Sequence, residues 1–322
     1  MIKKALAALT LTLGFALTTS WAQTPQTAQT INFGIISTEA MQQIRDRWDP
    51  LLADMERQTG LQVRPFFATD YAGVIEAMRF NHVQMAVFGN AAAMQAVDRA
   101  NGEIFVRFVN ADGTQGQTSH LIVHRDSPLQ SLQDVIRNGS TLSFGNGDPH
   151  STSGFLVPNF HAWAQNNVNP RTHFRSVRSA NHEANALAVA NRQVDFATSN
   201  NVALDRLQRN HPQARQNIRV IWTSPPIPDN PLVWNRNLPE ATKTKIRNFF
   251  VSYGQTDARE KQVLYRLARL SGFAASSNAQ LVPIRQLALF RTRTEIEDNA
   301  RLSVAERSAQ LADIDRQLAA LR

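Results

Sequence analysis

Apolar residues recur along this chain with two periods, and the switches between them outline a repeating plan. Residues 31–37, Ile-Asn-Phe-Gly-Ile-Ile-Ser, predict a first strand. A helix is predicted from about 39 to 59, with Gly60 as its stop. Residues 63–67 predict a second strand. Asp70 then precedes a helix over 71–79, with Val74, Ile75 and Met78 on its apolar face. A third strand is predicted over 85–88, and Gly89-Asn90 opens a helix from about 91 to 99. This β-α-β-α-β-α order predicts an α/β fold with a parallel sheet and helices on both faces.

The plan then repeats. Residues 121–123 begin a crossing strand, and Ser127-Pro128 caps a helix through about 137. A second α/β unit follows, with a strand over 141–144, a helix from Ser151 to about 165, a strand over 174–177, a helix over 181–190 and a strand over 194–198. Strands over 220–223 and from 232 lead back to the first unit, and helices fill 239–253 and 257–269. The prediction is two lobes: lobe one from 31–121 and 228–303, lobe two from 122–227, joined by two strand crossovers near 119–125 and 222–232. Helix starts and strand ends face the cleft in such a fold. Residues 304–322 form a polar, Ala- and Leu-containing helix, expected to pack on the body or to serve as a homodimer contact.

The first residues are of another kind. Lys3 and Lys4, the apolar run 5–16 and Ser20-Trp21-Ala22 predict a signal peptide over 1–22, followed by a flexible lead-in over 23–30. No second long apolar run follows. The chain has no Cys, which excludes a disulfide scaffold and lipid attachment at an N-terminal Cys. Together these fit a protein of the periplasm. The net charge of +8 falls to +6 without Lys3 and Lys4 (8 − 2). Its arginines are scattered among acids, as in Arg45-Asp46-Arg47, without the basic stripe and interleaved aromatics of a nucleic-acid binder. A positive overall field does favour approach of small anions.

Residues 147–154, Gly-Asp-Pro-His-Ser-Thr-Ser-Gly, carry the strongest local chemistry. A strand, a turn and then Ser151, Thr152 and Ser153 at a helix start offer hydroxyls beside unpaired N–H groups, which suits a phosphate or phosphonate head. An ordinary helix cap is the competing reading. Tyr71, at another strand-to-helix turn, either donates to an anion across the cleft or simply packs. Asn90 is a cap or a cleft residue. His182, in Asn181-His182-Glu183, offers a further donor, with Glu183 as capping chemistry. Catalytic patterns fail. HExxH would need a second His at position 186, which is Ala; His120 and His124 have no third ligand; no GxxxxGK[ST], GxGxxG or GxSxG occurs. No cofactor and no metal are expected. An extracytoplasmic phosphatase or esterase is the weaker alternative to a binding protein, and a binding protein that presents its ligand to a sensor would have the same fold.

Three stretches carry a family resemblance: 144–158 (Phe-Gly-Asn-Gly-Asp-Pro-His-Ser-Thr-Ser-Gly-Phe-Leu-Val-Pro), 181–191 (Asn-His-Glu-Ala-Asn-Ala-Leu-Ala-Val-Ala-Asn) and 282–290 (Val-Pro-Ile-Arg-Gln-Leu-Ala-Leu-Phe). Through them the chain resembles the periplasmic phosphonate-binding proteins that feed ABC importers. The resemblance implies the type II periplasmic binding protein fold, closing on a phosphonate or a related phosphorus oxyanion such as phosphite or a phosphate ester. It implies a head group on Ser151, Thr152 and Ser153, Tyr71 from the opposite lobe, His182 beside it, and an ABC permease with its ATPase as partners. Relatives that take 2-aminoethylphosphonate hold its ammonium with acids. Those positions match Val202 and Asn230 here, with Asp229 adjacent to the second, and a second pocket Tyr is replaced by Gln117. Gln117, Asn200, Asn201 and Asn230 are therefore expected to meet neutral or anionic groups, because a desolvated cation without a carboxylate is costly.

Overall fold

The computed structural model describes residues 29–321; the expected signal peptide and most of the lead-in lie outside them. The first segment runs β1 (Thr30–Ile35), α1 (Met41–Thr59), β2 (Gln62–Phe67), α2 (Tyr71–Arg79), β3 (Met85–Val87), α3 (Asn90–Arg99) and β4 (Gly102–Asn110). Gly60 ends α1 in the left-handed conformation, and the Asp70 side chain accepts from the Gly73 N–H to start α2. The second segment runs β5 (Ser119–His124), α4 (Leu132–Arg137), β6 (Ser143–Asn146), a wide helix opening at Thr152, α5 (Pro170–His173), β7 (Ser176–Ser179), α6 (His182–Ala190), β8 (Phe196–Asn200), α7 (Asn201–Asn210), α8 (Pro212–Gln216) and β9 (Ile218–Thr223). The chain then returns through β10 (Pro231–Asn235), α9 (Glu240–Ser252), α10 (Ala258–Ala268), β11 (Leu270–Ala275), α11 (Val282–Glu297) and α12 (Val304–Ala320).

Two sheets result, in the orders β11-β4-β10-β3-β1-β2 and β7-β6-β8-β5-β9. Both are mixed rather than purely parallel. β1 pairs parallel with β2 and β3, but β10 returns from the second lobe running the other way and inserts antiparallel between β3 and β4. In the second sheet β6 pairs parallel with β7 and β8, while β5 is antiparallel to β8 and β9. The strand β5 belongs wholly to the second sheet, so the first crossing is complete before Ser119. The crossings touch where Gln117 pairs with Ile227. Gly116 sits there at φ +88°, and a Cβ would lie 2.0 Å from the Ile227 carbonyl oxygen, so only glycine lets the two strands pass.

Each sheet is covered on both faces. One face of the first carries the aromatic core, in which Phe105 stacks on Trp234 at 4.0 Å and Phe33, Trp48, Phe250 and Phe273 fill the space to α1, α9 and α10. Its other face packs small residues of α2 and α3, including Ala91, Ala92 and Ala93. The second sheet packs Phe144, Phe196, Phe174 and Trp163 on one side and the Ala- and Val-rich α6 on the other. The tail helix α12 folds back on α11 of its own chain: Arg293 pairs with Asp315, and Ile314 is buried between them. Strands β4 and β11, helix α7 and the length of α11 go beyond the elements that the apolar periodicity predicts.

Candidate functional site

The site begins with an unusual helix. The Leu156 N–H donates to the Ser151 carbonyl and the Val157 N–H to the Thr152 carbonyl, five residues back, so the opening turns are π-helical. Their carbonyls are drawn sideways by the neighbouring strands. Ser119 Oγ donates to the Ser153 carbonyl at 2.6 Å, Thr198 Oγ1 to that of Gly154 at 2.7 Å, and the Gly147 N–H also donates to Gly154. Side-chain donors inserted into a ladder widen it. Close approach is essential here: a Cβ on Gly147 would lie 2.4 Å from the Gly154 oxygen.

The wide helix presents three buried hydroxyls, each already accepting an N–H. Ser151 Oγ accepts from the Gly154 N–H at 3.0 Å, Thr152 Oγ1 from the Ala91 N–H at 2.8 Å, and Ser153 Oγ from the Asn200 amide at 2.9 Å. An oxygen so engaged turns its own proton outward. The first N–H groups of the helix lie beside them without intrahelical acceptors. Helices α2, α3, α6 and α7 also start at this cleft, adding the positive ends of their dipoles.

His182 is fixed through its neighbour. Asn200 caps α7 by accepting the Ala203 N–H at 2.6 Å, so its amide nitrogen faces Ser153 and lies 3.2 Å from His182 Nε2. Nε2 therefore accepts, and the ring proton sits on Nδ1, which is buried without a partner. Burial, then the Arg206 charge, push the His182 pKa down to about 4, so the ring is neutral. Tyr71 is buried and lines the same cleft as Ser151; burial and the Asp148 carboxylate raise its pKa, so it remains a phenol donor.

These groups line a narrow cleft of about 30 Å³ between the lobes, together with Ile36, Thr38, Gly89, Gln117, Asn200, Val202, Arg206 and Asn230. No Asp or Glu belongs to that lining. The structure thus gathers Tyr71, Gln117, Ser151, Thr152, Ser153, His182, Asn200 and Asn230. It leaves three expected residues outside. Asn90 is spent on the Pro228 carbonyl and on Gln280. Asn201 is exposed and accepts the Thr118 N–H. Asp229 turns away: its carboxylate accepts from Asn110, the Gly116 N–H and Arg107 at 3.0, 3.0 and 3.2 Å. Burial raises its pKa, against the pull of the Gly116 N–H.

Arg206 is the charged lining residue that sequence reasoning missed, because α7 was not read as a helix; Ile36 and Thr38 were missed with it. Leu204 and Leu207 mark its buried side, and Arg206 lies four residues after Val202 and so on the same face. Its guanidinium reaches Thr38 Oγ1 across the cleft at 3.2 Å. Nearby, Glu183 accepts from the Ala40 N–H at 2.9 Å and faces His211 at 3.1 Å, and Glu39 pairs with Arg47. The Arg206–Thr38, Ala40–Glu183 and Ala91–Thr152 bonds thus hold the two lobes together around the cleft.

Comparisons with known proteins show the family and the fold. A family model described as an ABC transporter, phosphonate, periplasmic substrate-binding protein matches residues 33–281. The phosphonates-binding periplasmic protein of Escherichia coli (strain K12) is 49% identical over 320 residues, covering 99% of this chain and 94% of that protein. The crystal structure of a binding-protein component of an ABC phosphonate transporter from Pseudomonas aeruginosa superposes with a TM-score of 0.89 at 50% identity, over 91% of this chain and 97% of that one. PhnD1 of Prochlorococcus marinus, solved with methylphosphonate, shares the fold at a TM-score of 0.72 and 17% identity, over 81% of this chain and 97% of that one.

Proposed function

Since the chain belongs to the family of periplasmic phosphonate substrate-binding proteins of ABC transporters, we propose that it captures a phosphonate, or a closely related phosphorus oxyanion, that carries no ammonium group. The observation that carries this reading is the pairing of three pre-committed hydroxyls with a lining that has no carboxylate. The oxyanion head accepts hydrogen bonds from Ser151, Thr152, Ser153 and Tyr71, and the N–H groups of the wide helix complete the seat. His182 supports it through Ser151 and Asn200. An ammonium tail would meet Val202 and Asn230 and would lie beside Arg206, with Asp229 and Glu183 both occupied elsewhere.

The mechanism is hinge closure. The open form seats the head on lobe two, and Tyr71 and the start of α3 close from lobe one. The Ala91 N–H to Thr152 bond ties the seat itself to the closed state, so ligand and closure favour one another. The closed surface is what the permease and its ATPase receive; the ligand is released unchanged. Calorimetric titration of ligand-stripped protein tests the reading, with methylphosphonate, phosphonoacetate, phosphite, phosphate, glycerol-3-phosphate, sulfate and 2-aminoethylphosphonate as the panel. Tightest binding to an amine-free phosphorus compound is expected. Tightest binding to 2-aminoethylphosphonate would overturn it.

A further inference from the structure

The far wall of the cleft has a charge that the head-group seat does not use. Arg206 borders the cleft and also a second, small chamber of about 20 Å³, lined by Phe108, Leu270, Ala268 and Asp229 among others, which shares Gln117, Val202 and Asn230 with it. Asp229, the one carboxylate of that chamber, is spent on Arg107, Asn110 and the Gly116 N–H. The guanidinium makes one hydrogen bond, to Thr38 Oγ1, and its Nε has no partner. The carboxylate nearest to it, Glu39, is 3.9 Å away and is already held by Arg47. Glu183 is spent on His211 and the Ala40 N–H. Asp205 is spent on Arg209 and Arg269. Four guanidiniums, of Arg47, Arg206, Arg209 and Arg269, therefore face three carboxylates, of Glu39, Glu183 and Asp205. Burial and then Arg209 push the Arg206 pKa down to about 10, and burial and then Arg206 push that of Arg47 down to about 8. Both groups are short of negative charge.

We propose that Arg206 is the specificity residue for the ligand's tail, and that the ligand is a dianion in the structural sense: a phosphonate head joined by a short spacer to a second acidic group, most simply a carboxylate. This deepens the preceding reading and rests on it. Gln117 and Asn230 fit the same role. The Gln117 amide donates to Asn230 Oδ1 at 2.9 Å, which turns the Asn230 amide nitrogen outward as a further donor. Val202 supplies the apolar side of the spacer. A guanidinium, an amide N–H and an apolar flank suit a carboxylate on a methylene chain.

The test compares isosteric tails on the mature protein, stripped of ligand: phosphonoacetate against phosphonoacetamide, with 3-phosphonopropionate for the longer spacer and methylphosphonate as the tail-free reference. One of the two carboxylates should bind at least about tenfold tighter than the neutral amide. In Arg206→Gln that advantage should collapse to about threefold or less, while methylphosphonate affinity stays within about threefold of its original value. Arg206→Lys should keep part of the advantage. Equal affinities for the carboxylates and the amide in the unaltered protein would overturn the proposal without any variant. An equal loss for every ligand in Arg206→Gln would overturn it too, by showing Arg206 to be only a strut between lobes. If methylphosphonate binds but the carboxylates gain nothing, the amine-free reading stands and this one falls. If no phosphorus compound binds, both fall.

Discussion

The two ends of one cleft solve recognition by opposite means. At the head end, no charged side chain lines the seat. Hydroxyls, backbone N–H groups and a neutral imidazole are each fixed by a bond made elsewhere, and the anion meets donors that need no rearrangement. At the tail end, the walls are a guanidinium, two amides, a valine and, behind them, the Arg107-paired Asp229, brought together from the crossing before β5, from α7 and from the loop before β10. The seat is written within a few consecutive residues and leaves little freedom. The far wall is assembled from separate segments, so each of its residues can change without disturbing the seat. The difference explains how one fold keeps its head group while changing its tail.

The largest effect should come from dismantling the seat. Ser151→Ala with Thr152→Ala removes two donors to an anion, worth about 1.5–3 kcal/mol each. Calorimetry should show affinity for methylphosphonate falling roughly 100-fold or more. A loss under about threefold would mean that the head sits elsewhere. The next effect belongs to the far wall. Val202→Glu with Asn230→Asp should raise affinity for 2-aminoethylphosphonate relative to ethylphosphonate by about tenfold, with methylphosphonate little changed. Loss of both ligands together would show that the two ends are not separable.

A smaller effect concerns His182. Its pKa is about 4 in the folded protein and about 6.5 when the chain is unfolded. Between those values the unfolded chain binds the extra proton, so the neutral ring's contribution to stability is complete above about pH 6.5 and is lost as the pH falls toward 4. Thermal midpoints of the ligand-free protein should fall more steeply over that interval than those of His182→Gln. Parallel curves would mean that another group sets the slope. The smallest effect on binding should come from Asp229→Asn. Its carboxylate faces Arg107 and the Gly116 N–H, so affinity for methylphosphonate should stay within about threefold while the urea midpoint drops. A large affinity change would return Asp229 to the cleft.

Much of the seat was legible in the sequence because its chemistry is local. Hydroxyls at a helix start and a Tyr and a His at two other helix starts are capping positions, and caps are read over three or four residues. Asn200 became legible for the same reason. The misreadings have long-range causes. Asp229 stands beside Asn230, yet the crossing at Gly116 and Ile227 holds its buried carboxylate on the Gly116 N–H, Asn110 and Arg107. Asn90 looks like a free cap until Pro228 and Gln280 arrive from more than a hundred residues away. The parallel sheet failed because β10 enters from the other lobe, and no local period records the direction of a returning strand. Arg206 was missed with α7, whose alternation of Leu, Asp, Arg and Gln carries only two buried apolar positions.

A seat made of dipoles behaves differently from one made of ions when the surrounding electrolyte changes. Mobile ions screen charges that face one another across solvent, over about 10 Å at 0.1 M. They have little hold on hydroxyl donors at contact distance inside a closed cleft, with Ser151, Thr152 and Ser153 each 3% exposed or less. The net charge that draws an anion in from outside has no such shelter. Salinity therefore governs how fast this protein is loaded far more than how long the head group stays bound.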